Sequence, residues 1–430
     1  MTGLDAWDLV LGACATVFTQ PSLLLFQTLA SAWVLCPGRR TVTRMITVAD
    51  PAREHAHDAY HRWLRAGVWS ITELWQVLVR LLVTRLAPVG VLHVDLDDTL
   101  FHKAGRKIAG AGIFRDPVRS TARHVVYALG LNVVVVTFRL TPPWGGEPLG
   151  LPINVRLYRK GGPSHVALGT AMMRELATWL PDREFALVCD GAYAAIAGLD
   201  LPRTHVTSRL RRDAALFAPP PPRKRGQRGR PRKRGRRLPS PVQLVRRARR
   251  DWVTTTVNIR GKSVERLLLR RPVLWYHVCP QRLVLLVILR DPASTQPDDF
   301  FFTTDLHAAV ATVASDYAGR WAIEDTMRAT KQALGGEDPQ TWKDAGPERA
   351  AALSFWIYAA VWLWYLTVYG TKPSWPTLPW YPQKCTPSFA DALAALRRVL
   401  WGQRIFANSG SELLSSKITG ALIEILARAA

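Results

Sequence analysis

The run LNVVVVTFRL, residues 131–140, constrains the fold more than any other stretch. Residues 132–138 are β-branched and apolar almost throughout, which predicts an inner strand of a sheet covered on both faces. An inner strand needs partners on both sides, and the flanking sequence supplies them. VGVLHVDLDDTL, from Val89, reads as a short apolar strand ending in three carboxylates, Asp95, Asp97 and Asp98. ARHVVYALG reads as a separate strand, joined to LNVVVVTFRL by a tight turn at Gly130, Leu131 and Asn132. INVRLYRKGG is short and basic. A helix is predicted from about Ser164 to Leu180. A buried strand over residues 185–189 then ends at Asp190, with Gly191 after it, and THVTSRLR forms one more strand.

A second constraint lies further on. DYAGRWAIEDTMRATKQALGGEDPQ, residues 316–340, predicts a helix with no Pro before a stop at Gly335 and Gly336. Tyr317, Arg320, Glu324 and Lys331 fall on it within a wedge of roughly 60° at about 3.6 residues per turn. One face thus carries an aromatic hydroxyl, a guanidinium, a carboxylate and an ammonium. Only the carboxylate can hold a divalent metal; the other three suit a phosphate backbone. Four arbitrary polar positions would read as a solvated face with local ion pairs. The spacing Tyr-x2-Arg-x3-Glu-x6-Lys, complete in all four residues, resembles the YREK signature of bacterial insertion-sequence transposases with an RNase H-like, DDE-type catalytic core. The order of strands and helices from Val89 agrees with an RNase H-like sheet.

The resemblance implies a set of residues and an activity. Asp98, directly before Thr99, corresponds to the first metal-binding aspartate, Asp190 to the second and Glu324 to the third carboxylate. Asp95 and Asp97 compete for the first position, since on a strand they share the face opposite Asp98. The carboxylates would hold two Mg2+ or Mn2+ ions about 3.5–4 Å apart. Tyr317, Arg320 and Lys331 would position phosphates beside them. The implied reaction is that of a DDE transposase. Water attacks the phosphodiester at an element's end and frees a 3′-OH, which then attacks target DNA, with no covalent enzyme intermediate. A hairpin at the first cut stays open. The implied partners are double-stranded DNA, as terminal inverted repeats and as target, and a second copy of the chain in a homodimer on DNA.

Two rival readings use the same residues. Asp95-Leu96-Asp97-Asp98-Thr99 fits the DxDxT motif of haloacid-dehalogenase-like phosphatases, with Asp95 as nucleophile and Asp97 as acid–base, and Thr137 fits that family's second motif. The final acidic motif is missing, because Ala194 stands where a carboxylate is required. The other rival is a non-catalytic DNA-binding protein.

Charge points the same way as the first reading. The net charge is +24, and a chain this basic generally meets a polyanion. Between Arg223 and Arg250 stand fourteen Lys or Arg and no acid, which predicts disorder in the absence of a polyanion. Within it, Gly229-Arg230-Pro231-Arg232 resembles an AT-hook core, which lays arginines such as Arg230 and Arg232 into a narrow minor groove. A generic basic linker is the plainer reading. The five cysteines are scattered, with no CxxC, so neither a disulfide framework nor a zinc site is indicated. A reducing bacterial cytoplasm, at the nucleoid, is the expected place. Asp5 and Asp8 near the start argue against a signal peptide. Residues 350–369 are uncharged and long enough to cross a bilayer, but Trp and Tyr run right through them, which favours a buried helix over a membrane span.

The expected fold class is α/β: an RNase H-like mixed sheet with helices, interrupted by a β-rich insertion and flanked by helical regions. The expected division is residues 1–88, a helical DNA-binding region with Arg39, Arg40 and Arg44 near a helix start; 89–213, the first part of the core; 214–304, basic linker and β-rich insertion; 305–345, the last core helix; and 346–430, a helical C-terminal region. Trp252, Trp275 and Tyr276 on the insertion could stack on bases, though core packing is the plainer reading.

Overall fold

The structure, a computed structural model, describes residues 2–121, 123–222, 228–248, 251–259, 262–377, 379–408 and 416–429. The chain opens with helices α1 (Gly3–Gly12), α2 (Gln20–Leu35), α3 (Val42–Ala49), α4 (His57–Ala66) and α5 (Ile71–Leu86). Thr2, Thr41 and Ser70 accept free backbone N–H groups in the first turns of α1, α3 and α5, and Pro21 stands in the first turn of α2. Within the expected helical region, α4 and α5 meet at a bend of 90°. Arg40 is not a surface cation. It is buried, its Nε donates to Trp33 O at 3.2 Å and its N–H to Asp338 at 2.9 Å.

The sheet follows: β1 (Leu92–His102), β2 (Gly112–Arg115), β3 (Tyr127–Leu140), β4 (Leu149–Tyr158), then helix α6 (His165–Trp179), β5 (Phe185–Cys189) and β6 (Thr204–Arg209). β4, β3 and β1 form an antiparallel meander, and β5 and β6 run parallel to β1 in the order β4-β3-β1-β5-β6. This is the RNase H-like arrangement that the strand order predicts.

Two local expectations change. ARHVVYALG and LNVVVVTFRL are not a hairpin; β3 runs straight through Gly130. A Cβ at Gly130 would come 2.3 Å from the carbonyl oxygen of Phe101, so the glycine permits close approach of two strands, not a turn. β1 does not end at its acids either. It continues to His102, and Asp95, Asp97 and Asp98 are mid-strand.

The insertion carries α7 (Pro241–Arg247) and strands β7 (Val253–Ile259), β8 (Lys262–Val273), β9 (Val284–Arg290) and β10 (Asp299–Thr303). The expected β-rich insertion is present as antiparallel strands, but it is not separate: β10 pairs with β6, so the ten strands form one sheet among the described residues. The basic tract, expected to be disordered, has a defined path over residues 228–248. Residues 223–227, 249 and 250 lie outside the described residues, while α7 is held by a capping box between Ser240 and Gln243. Trp275 is a core residue, packed edge-on against Phe302.

The chain closes with α8 (Val310–Gly319), α9 (Trp321–Gln332), α10 (Gly346–Tyr369), α11 (Phe389–Asn408) and α12 (Ser416–Arg428). α10 is the apolar stretch long enough to span a bilayer. Here α1, α2, α4, α5, α9 and α11 surround it and β4 lies beneath it. Trp356, Trp362, Trp364 and Tyr365 on it are among the largest fully buried side chains. Each such side chain stabilises the fold by roughly 1.5–3 kcal/mol through burial. One apolar core joins these helices to the sheet.

Candidate active site

The predicted helix over residues 316–340 is two helices that meet at Arg320. The N–H of Arg320 is shared between the carbonyls of Asp316 at 3.2 Å and Tyr317 at 3.3 Å. Arg139 on β3 donates to that same Asp316 carbonyl from outside, and this competition tightens the turn and ends α8. α9 starts afresh and lies close on β4. Thr326 Oγ1 donates to Gly150 O at 2.6 Å, and a Cβ on Gly150 would come 2.8 Å from Ala322 O.

Side chains along β1 alternate between the faces of the sheet. Asp98 faces α6. Its carboxylate accepts from Tyr193 Oη at 2.9 Å and from Asn132 Nδ2 at 3.1 Å. His165, stacked on Tyr158, stands 4.0 Å away. Asp95 and Asp97 face α8 and α9. Asp97 accepts from Arg320 Nη1 at 2.6 Å and from the Asp98 N–H at 2.9 Å. The other arm of that guanidinium, Nη2, donates to Glu324 at 2.8 Å. One buried arginine thus ties a strand carboxylate to a helix carboxylate.

Asp190 completes the group. β5 lies parallel to β1 with Cys189 beside Leu96, so Asp190 follows beside Asp97. One of its oxygens accepts from Ala192 N–H and caps the short helical turn Gly191–Gly198. The charges report on one another. Burial pushes the Asp97 carboxyl up to about 7 against the pull of Arg320, and Asp98 and Asp190 push the same way. Burial works against the charge on Arg320, but Asp97, Tyr317 and Glu324 outweigh it and hold the guanidinium protonated.

The remaining predicted residues divide. Tyr317 is on α8, packed on Phe301, with Arg209 and Arg320 lying 5.4 and 5.6 Å from its ring centre; burial pushes its hydroxyl up. Lys331 is not a free phosphate contact here. Its Nζ donates to Leu100 O at 2.7 Å, which pins α9 to β1. Arg230 and Arg232 are exposed in irregular chain on the insertion. Asp95 is wholly buried, both its oxygens lack hydrogen-bond partners, and Arg139 Nε stands 3.6 Å away. The phosphatase-like reading needs Asp95 as its nucleophile, and a nucleophile must meet its substrate.

Arg139 and Tyr193 carried no signal in the sequence. The choice between Asp97 and Asp98 carried half of one: alternation groups Asp97 with Asp95, but not which face α9 covers. The three carboxylates offer only hard oxygen donors, which suit Mg2+ or Mn2+. Among the described residues no three His, Cys, Asp or Glu side chains already stand at metal-holding spacing, and Arg320 supplies the counter-charge between Asp97 and Glu324. The donor set fits the expected ions; the spacing requires Arg320 to yield.

A family model for a DDE superfamily endonuclease matches residues 22–266, more than half of the chain. The match takes in most of α2, α3 to α7, β1 to β7 and the start of β8, with Asp97, Asp98 and Asp190; Glu324 lies beyond it. A comparison with curated proteins finds no match.

Proposed function

We propose, from the premise that the chain belongs to the DDE superfamily of endonucleases, that it is a transposase that cuts DNA at the ends of an insertion element and joins the freed 3′-OH to target DNA. The observation that carries this is the single guanidinium of Arg320 shared by Asp97 on β1 and Glu324 on α9, with Asp190 beside them. Residues 89–213 and 305–345 would form the catalytic core, 214–304 the insertion, and 1–88 with 346–430 the flanking regions.

Asp97, not Asp98, is proposed as the first metal ligand, with Asp190 and Glu324 as the others, because Asp98 is turned to the opposite face and satisfied by Tyr193 and Asn132. Two Mg2+ or Mn2+ ions held there would activate the attacking oxygen and stabilise the leaving one. The chain's own residues do the rest. Arg320, released from one carboxylate, can grip a non-bridging phosphate oxygen with two hydrogen bonds. Tyr317 and Arg209 flank that position. Lys331 keeps α9 seated on β1. In the first reaction water adds to phosphorus, the P–O3′ bond breaks, and a 3′-OH and a 5′-phosphate result. In the second, that 3′-OH adds to a target phosphorus and displaces the target's own 3′ oxygen. Arg230 and Arg232 would add contacts to A·T-rich DNA, and two copies would pair two ends.

The test is nicking and joining of a duplex carrying the inverted repeats that flank the reading frame, with Mg2+ or with EDTA. Metal-dependent release of a 3′-OH, followed by strand joining, is expected. Cleavage that persists in EDTA, or in a Glu324→Gln variant, would end the proposal.

A further inference from the structure

Residues 234–237 of the basic tract are fastened to the sheet. Arg234 lies over the rings of Phe217 and Tyr276, 4.5 and 5.0 Å from their centres. Phe217 forms backbone bridges to Arg237 and Leu274. On the sheet side, β7 begins at Val253 opposite Leu268, so Leu269, Arg270 and Arg271 of β8 run past it with no strand paired on that edge among the described residues. Between this edge and α7 lies a groove of about 1170 Å³. Five arginines line it, Arg236, Arg237, Arg247, Arg270 and Arg271, against one carboxylate, Asp251. All five are exposed, and none has a carboxylate partner among the described residues. Other arginines of the same region are matched: Arg209 by Asp299, Arg211 by Asp213 and Arg290 by Asp298.

We propose that this groove is a second DNA contact, which holds the phosphate backbone of a duplex away from the cutting site. A lone phosphate or a mononucleotide would answer two or three of these charges at most; a polyanion answers all of them and gains by counterion release. The inference rests on the DNA-acting function proposed above and adds where the duplex is gripped. In the sheet order β1-β5-β6-β10-β9-β8 the groove lies five strand positions from Asp97. At roughly 4.8 Å per position this is about 24 Å, or about seven base pairs of duplex at about 3.4 Å each.

The experiment measures binding of a random-sequence duplex of about 30 base pairs to the full chain between about 50 and 200 mM salt, and nicking of repeat-end DNA in parallel. Arg247→Ala/Arg270→Ala/Arg271→Ala is expected to weaken binding tenfold or more at the higher salt and to lower the slope of log K against log salt by about 2–3. The same three positions changed to Lys keep the slope. The single variant Arg271→Glu, which risks the fold less, lowers it by at least about one. A charge-matched control, Arg174→Ala/Lys343→Ala/Lys372→Ala, leaves it unchanged. A wild-type slope in both the Ala triple and Arg271→Glu overturns the proposal, as does an equal fall in the control. Failure of the transposase reading is separate: wild-type protein would then nick nothing, whatever the slopes.

Discussion

Asp97 and Asp98 adjoin in the chain and belong to opposite faces of one strand. On the α6 face, Asp98 accepts hydrogen bonds from the neutral donors Tyr193 and Asn132, with His165 4.0 Å away. On the α9 face, Asp97 has a charged partner that it shares with Glu324. We read a carboxylate held by neutral donors on that face as a strut, a reading that Tyr193→Phe tests. One that shares a guanidinium with a distant carboxylate sits in a place where a second cation can compete. The same residue type acquires two roles because the strand points each copy into a different set of neighbours.

Five substitutions break or sharpen this contrast. Asp97→Asn is expected to lower metal-dependent nicking on the order of 10³-fold, while Asp98→Asn keeps most of it. The reverse ranking in a nicking assay would give the first-ligand role back to Asp98. Arg320→Lys comes next. A lysine cannot span Asp97 and Glu324, so the nicking rate should fall about 10²-fold, with little change in the binding of uncut DNA. A rate near wild type would mean that the shared guanidinium is incidental. Gly150→Ala tests whether α9 must lie this close to β4. It should cost about 1–3 kcal/mol of stability by overpacking against Ala322 and slow nicking several-fold. An unchanged melting temperature would show that α9 has room to spare. Tyr193→Phe removes a hydrogen bond to Asp98 and leaves the Asp97 face untouched. It should lower stability by about 1–2 kcal/mol and leave nicking within about twofold; a large loss of activity would make the Asp98 side part of the chemistry.

Much of the fold was legible. The apolar run at residues 132–138 demanded an inner strand and became one, β3. Ser164 announced α6 and caps it, and β5 covers residues 185–189 as read. Trp and Tyr spread through residues 350–369 pointed to a helix wrapped in protein, and α10 is that. The errors share a cause. Gly130 reads locally as a turn, yet its lack of a side chain serves the approach to Phe101. The acids of β1 read as a strand end because charges rarely lie inside a sheet, yet Arg320 and Arg139 come from elsewhere to meet them. The basic tract reads as uniformly disordered, yet Phe217 and Tyr276 give Arg234 a surface to lie on.

What the residues determine unaided is the local grammar: where strands and helices lie, that three carboxylates and a Tyr-Arg-Glu-Lys series exist, and that the chain carries charge enough for a polyanion. Which aspartate meets Glu324, that Lys331 is spent on a backbone carbonyl, and that five arginines frame one groove were decided by tertiary structure. The physical reason is range. Propensity and alternation act over a few residues, whereas a carboxylate's neighbours are chosen by which distant helix packs on its face of the sheet.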